Sequence, residues 1–184
     1  MAALLDANVL YPAPVRDLLL HLADTGLYFP KWTDEIHKEW IQNLFANRPD
    51  LKLSSLKSAK RSMNLAFPDA DIKGFFHLIE KLQLPDNNDR HVLAAAIHAK
   101  ADFSITYNVK DFPQKYLASF SLNAINPNDF TVKLIHQDKE AVLSAFNNQV
   151  ANLKYPPLTK NEVLNSLAKC ELKKSVTLLL TLIH

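Results

Sequence analysis

The chain has 184 residues, 48% hydrophobic and 22% charged, with a formal net charge of +2. That is enough for one domain with a buried core, and too apolar for disorder along its length. One cysteine, Cys170, excludes an internal disulfide framework and a multi-cysteine zinc site and fits a reducing, cytoplasmic setting; two glycines, Gly26 and Gly74, exclude a P-loop or a GxGxxG turn.

In chain order, AALLD reads as a short strand buried on both faces and ending in Asp6. PVRDLLLHLADTG has apolar residues at helical spacing, with Gly26 placed as the residue after the helix. LYFP is a second strand. From Thr33 to Asn47, Ile36, Trp40, Ile41, Leu44 and Phe45 form one apolar arc of a helix. A further helix over 54–66 carries Lys57, Lys60 and Arg61, a group that either tracks a phosphate backbone or forms a solvated face. Residues 69–85 fit either a helix or the approach to a strand. An Ala-rich helix begins near Asn88, followed by a strand in DFSIT, a loop in NVKDFP and a last strand in SLNAI. Asn126-Pro127 suits the start of another helix. Beyond Asn147 the pattern is helical only, broken at Pro156-Pro157 and restarted by Thr159–Glu162, which has capping-box spacing.

Strands alternating with helices predict a three-layer α/β/α fold with a mostly parallel sheet over 1–135, followed by a C-terminal helical extension over 136–184. The opening MAALLDANVL lacks a basic segment before a long apolar one, so no leader is expected. No apolar run approaches the ~18 residues of a membrane span. The terminal VTLLLTLIH is half that length and reads as a packed helix.

In parallel sheets, ligands gather at the carboxyl ends of strands. Asp6 follows the first strand, and Asp111 lies in the loop after the strand ending at Thr106. Asp86 and Asp89 sit at the turn that opens the Ala-rich helix, where a carboxylate also caps a helix well; Asp86 suits that role better. Glu39 lies about 60° outside Ile36 on the helical wheel, at the border of the apolar arc. Converging carboxylates repel one another unless a cation neutralises them. A cluster of acids without His or Cys ligands suits hard Mg²⁺ or Mn²⁺ and phosphodiester hydrolysis more than zinc chemistry.

The segments LLDANVLYPAPVRDLLL, the helix around Lys38-Glu39-Trp40, LPDNNDRHVLAAAIHAKAD and ITYNVKDFP resemble PIN domains, specifically the VapC-like toxins of bacterial toxin–antitoxin pairs. The C-terminal PPLTKNEVLNSLAKCEL resembles the helical tail of that branch. The resemblance implies a PIN-like fold and an endoribonuclease that hydrolyses RNA with water activated by Mg²⁺ or Mn²⁺, leaving a 3′-hydroxyl and a 5′-phosphate. Asp6, Glu39, Asp89 and Asp111 match the metal-binding and catalytic acids. Asn108 stands where many PIN domains carry an aspartate. It is expected either to bind a metal-bound water or to orient the substrate; Asn8, Arg90 and Thr106 are expected to contact substrate, and pairing with Asp86 is the other role open to Arg90. His91 is either a proton shuttle or a structural histidine. The resemblance also implies a homodimer and a cognate antitoxin covering the acidic cleft. Two other readings stand beside it. One is a PIN module that binds RNA or a partner without cutting. The other is a phosphatase on a different α/β fold, although that class carries DxD where this chain reads Asp6-Ala7-Asn8.

Overall fold

A computed structural model describes residues 1–183. Four strands, β1 (Ala2–Leu5), β2 (Phe29–Lys31), β3 (Phe103–Ile105) and β4 (Asn123–Ile125), form one sheet in the order β2-β1-β3-β4. Every pairing is parallel, with Ala3 opposite Pro30 and Phe103, and Ile105 opposite Ile125. Ala3, Leu4 and Leu5 of the central strand are fully buried, as expected for a strand covered on both faces. The α/β class and the parallel sheet expected from the sequence are both present.

The helices are α1 (Ala7–Leu10), α2 (Ala13–Asp24), α3 (Asp34–Asn47), α4 (Leu53–Ala66), α5 (Phe76–Ile79), α6 (Arg90–His98), α7 (Gln114–Ala118), α8 (Pro127–Gln137), α9 (Lys139–Asn152), α10 (Lys160–Lys169) and α11 (Lys173–Ile183). Contacts group them into two compact units. The first comprises residues 1–11 and 29–125: the sheet, α1 and α3–α7. In it α6 packs on β1 and β3, and its Ala94, Ala95 and Ala96 are fully buried. Side chains that small let a helix lie close to a sheet.

The second unit comprises residues 12–28 and those from Asn126 onward: α2 and α8–α11. The boundary expected near 135 falls inside α8, whereas the contact grouping changes at Asn126. Within this unit α2 packs on α9 and α8 on α11. The Tyr28 ring meets Phe130 edge-on at 5.1 Å, and its hydroxyl donates to the Leu19 carbonyl. Asn126 caps α8, and Thr159 with Glu162 closes the capping box that opens α10.

Several local expectations need correction. The second strand begins at Phe29, and Leu27 and Tyr28 are buried residues of the approach to it. Phe45 is 46% exposed. It lies beyond Ile41 on the wheel, and buried His37 occupies the arc instead. Residues 69–85 form neither a long helix nor a strand. They hold a 3₁₀ turn (Pro68–Ala70), one parallel bridge from Asp71 to Trp32, and the single turn of α5.

Candidate metal and nucleic-acid site

All of the acids singled out in the sequence belong to the first unit, around the carboxyl ends of β1 and β3. Asp6 leaves β1 in extended conformation and caps α1. Its N–H donates to the Ile105 carbonyl at 3.1 Å, prolonging the β1–β3 ladder past the last strand residue. One carboxylate oxygen accepts from the Ala7 N–H at 2.6 Å. The other accepts from Thr106 Oγ1 and Asn8 Nδ2, each at 2.7 Å. Asn8 Nδ2 also reaches Thr106 Oγ1, and Asn8 Oδ1 accepts from the Tyr107 N–H. Asn8 and Thr106 therefore direct their donors at Asp6, and Thr106 is buried behind it. Asp6 is 4% exposed, and burial pushes its carboxyl pKa above the ordinary value. The Thr106 and Ala7 hydrogen bonds act against that push, Glu39 adds to it, and His91 opposes it.

Across the cleft, Glu39 of α3 accepts from His91 Nε2 of α6 at 2.8 Å. The His91 side chain is mostly buried while Glu39 is half exposed, so the histidine anchors the acid from behind. Burial acts against the imidazolium, yet the hydrogen bond and charge of Glu39, together with Asp6 and Asp89, carry the His91 pKa above its usual value. The other ring nitrogen, Nδ1, is buried with no hydrogen-bond partner among the described residues.

The acid-rich turn divides its labour. Asp86 accepts from the Asn88 N–H at 2.8 Å and caps the 3₁₀ turn Asn87–Asp89. Asp89 occupies the cap position of α6 but makes no capping hydrogen bond. Its carboxyl is pushed up to about 6, first by burial and then by the charges of Asp6, Asp86 and Asp111. Its position uses it for something other than closing a helix.

A polar cleft of about 380 Å³ gathers Asp6, Asn8, Glu39, Asp89 and Asn108, lined further by Ala7, Tyr11, Asn43 and Asn47. Three of the expected residues do not line it. Thr106 stands behind Asp6; Arg90 donates through Nε to the Asn87 carbonyl; and Asp111, closing the 3₁₀ turn Val109–Asp111, acts on Asp89 through its charge. Tyr11, Asn43 and Asn47 were not anticipated. Asn43 and Asn47 follow Glu39 at intervals of four, a polar stripe readable on a wheel once Glu39 is placed. Lys57, Lys60 and Arg61 line a separate groove with Lys38, Ile41 and Leu65, and Lys60 pairs with Asp34 at 2.6 Å.

Comparison with known proteins bears most directly on the second unit. Residues 127–181 match the family model described as the VapC50 C-terminal domain. The chain is also 33% identical, over 81 residues, to a protein of Mycobacterium tuberculosis (strain ATCC 25618 / H37Rv) named "Putative ribonuclease VapC50". Both likenesses are to VapC proteins, the first confined to the C-terminal helices. The identical stretch covers 44% of this chain and 48% of that protein, so the chain spans about half the length of the curated relative it matches. No solved structure matches the chain. No helix among the described residues is long and apolar enough to cross a membrane.

The donor set of the cleft fits a hard divalent cation. The cleft offers carboxylate and amide oxygens and no sulfur, and the one nearby imidazole is engaged by Glu39. Asp6 and Asp89 both carry raised pKa values, so positive charge between them relieves two unfavourable ionisations. Among the described residues no three His, Cys, Asp or Glu side chains are close enough together to hold an ion as they stand.

Proposed function

We propose that this chain is an endoribonuclease dependent on Mg²⁺ or Mn²⁺, and the toxin of a toxin–antitoxin pair. The observation that carries the reading is the cleft: Asp6, Glu39 and Asp89, from three separate elements, line one polar cavity with Asp111 in electrostatic reach. The likeness to a protein named as a ribonuclease supports the choice of RNA over other phosphodiesters.

Asp6, Glu39 and Asp89 would hold the cation, and Asp111 would add negative charge behind Asp89. When bound, the ion supplies a hydroxide nucleophile near neutral pH and offsets charge building on the phosphodiester. The chain's own contribution is order. Thr106, Asn8 and the Ala7 N–H fix both oxygens of Asp6, so this carboxylate loses little freedom when the site fills. His91 orients Glu39 by its 2.8 Å bond. Asn108, exposed at the rim where a further acid would add repulsion, offers the RNA phosphate a neutral amide. A cognate antitoxin covering this cleft, and a homodimer, belong to the same reading.

The test is cleavage of single-stranded RNA by purified protein with Mg²⁺, Mn²⁺ or EDTA, with the ends mapped. We expect cuts with either ion, carrying 5′-phosphates, and at least a 100-fold loss in the Asp6→Asn, Asp89→Asn double variant. RNA that is bound but left uncut in either ion would favour the non-cleaving module. Cleavage undiminished in the double variant would place the chemistry elsewhere.

A further inference from the structure

Besides the acids, Ala7, Asn8 and Asn108, the cleft is lined by Tyr11, Asn43 and Asn47, which the hydrolytic chemistry does not use. Asn43 and Asn47 are exposed, and their amides make no hydrogen bond to the described residues. Tyr11 ends α1, is half buried, and has no ring partner among the described residues. On α3 the spacing of four puts Asn43 about 6 Å, and Asn47 about 12 Å, along the axis from Glu39.

Three features make this a place for a base rather than a phosphate. The lining carries no cation, whereas a phosphate track is built from Lys and Arg, which this chain collects in the separate groove around Lys57 and Arg61. An Asn amide presents a donor and an acceptor side by side, the pattern that pairs with a base edge. A tyrosine ring open to a cleft is a stacking platform for an unpaired base. We propose that Tyr11, Asn43 and Asn47 form a base-recognition subsite that holds one unpaired nucleotide beside the scissile phosphate and sets the sequence preference of the cut. The proposal rests on RNA being the ligand of this cleft.

The probes are 5′-fluorescein-labelled 12-mers of oligoadenylate, oligouridylate and oligocytidylate. Anisotropy is measured with the full chain in EDTA, so that binding is read without catalysis. Wild type is expected to prefer one homopolymer by about tenfold or more, and Asn43→Ala with Asn47→Ala to flatten that preference to within about threefold. Tyr11→Leu should weaken all three probes by about tenfold, and Tyr11→Phe, which keeps the ring, should restore binding. A thermal melt checks each variant, and the asparagine pair, being exposed, keeps the test alive if Tyr11→Leu fails to fold. Equal binding of all three probes by wild type, or an unchanged preference in the asparagine double variant, overturns the subsite. Parallel incubation with Mn²⁺ separates the two ideas. Preferential binding without cleavage keeps the subsite and sinks the nuclease, while cleavage with the preference intact in the double variant does the reverse.

Discussion

Asp89→Asn should make the protein more stable while removing its activity, and the structure sets the size of the gain. The Asp89 carboxyl lies at about 6 against an ordinary 3.8, because burial and the charges of Asp6, Asp86 and Asp111 all disfavour its ionised form. At about 1.4 kcal/mol per pKa unit, that is a penalty of about 3 kcal/mol on the native state at neutral pH if nothing screens it. Asp89 is only half buried, and screening by solvent lowers the figure to about 1 kcal/mol. The native state holds this proton more tightly than the unfolded chain does. The penalty is therefore absent below about pH 3.8, grows as the pH rises through 6, and is full above that. Asparagine has the same shape and no charge to desolvate. Thermal melts in EDTA at pH 7.5 should show Asp89→Asn about 2–4 °C above wild type, a gap that closes towards pH 4. Millimolar Mn²⁺ should then raise wild type more than the variant, since only wild type keeps the full acid set. A variant no more stable than wild type at pH 7.5, or a gap that widens in acid, would refute the electrostatic account of the cleft.

Thr106→Val removes a donor to Asp6 while keeping the shape, so the Asp6 pKa should rise further and the acid limb of the pH–rate profile should move to higher pH; a limb that stays in place would separate Thr106 from the chemistry. His91→Ala should weaken Mn²⁺ binding by calorimetry about tenfold or more, with partial recovery in His91→Gln, and equal affinity in all three proteins would count against an anchoring role. Fully buried His37 accepts from Trp40 Nε1 and has its pKa depressed to about 4, chiefly by burial and then by Lys60. The unfolded chain takes up that proton first, so stability should fall from pH 6.5 towards 4 by up to about 3 kcal/mol. Urea titrations at pH 7 and 4.5 should show a smaller loss in His37→Asn than in wild type, and equal losses would exonerate His37.

How much of this was legible in the sequence varied with the range of the forces involved. The strands AALL and FSI and the capped helices at Thr33, Asn126 and Thr159 were readable because propensity, capping and burial agree within a few residues. The split between Asp86 as cap and Asp89 as free acid was legible for the same local reason. What could not be read was pairing at a distance. Glu39 and His91 are 52 positions apart, and nothing near either announces the other. Thr106 was correctly drawn to the neighbourhood of Asp6, but as a substrate contact; only the fold shows its hydroxyl turned to the carboxylate. Phe45 was misplaced because a wheel assigns apolar arcs by residue type, and here the buried arc includes a histidine. Asn43 and Asn47 carry a usable period, but an exposed polar stripe says nothing until the opposite wall is known.

The bond from Thr106 to Asp6 joins residues 100 positions apart. It has a consequence for a growing chain. A ribosome-bound polypeptide that has not yet released β3 and Thr106 has the first acid but not the strand that seats it, nor the hydroxyl that fixes its second oxygen. Translation thus delays completion of the cleft until β3 and Thr106 have emerged. On the proposed reading, a nascent chain cannot cut RNA until Thr106 has emerged to seat Asp6.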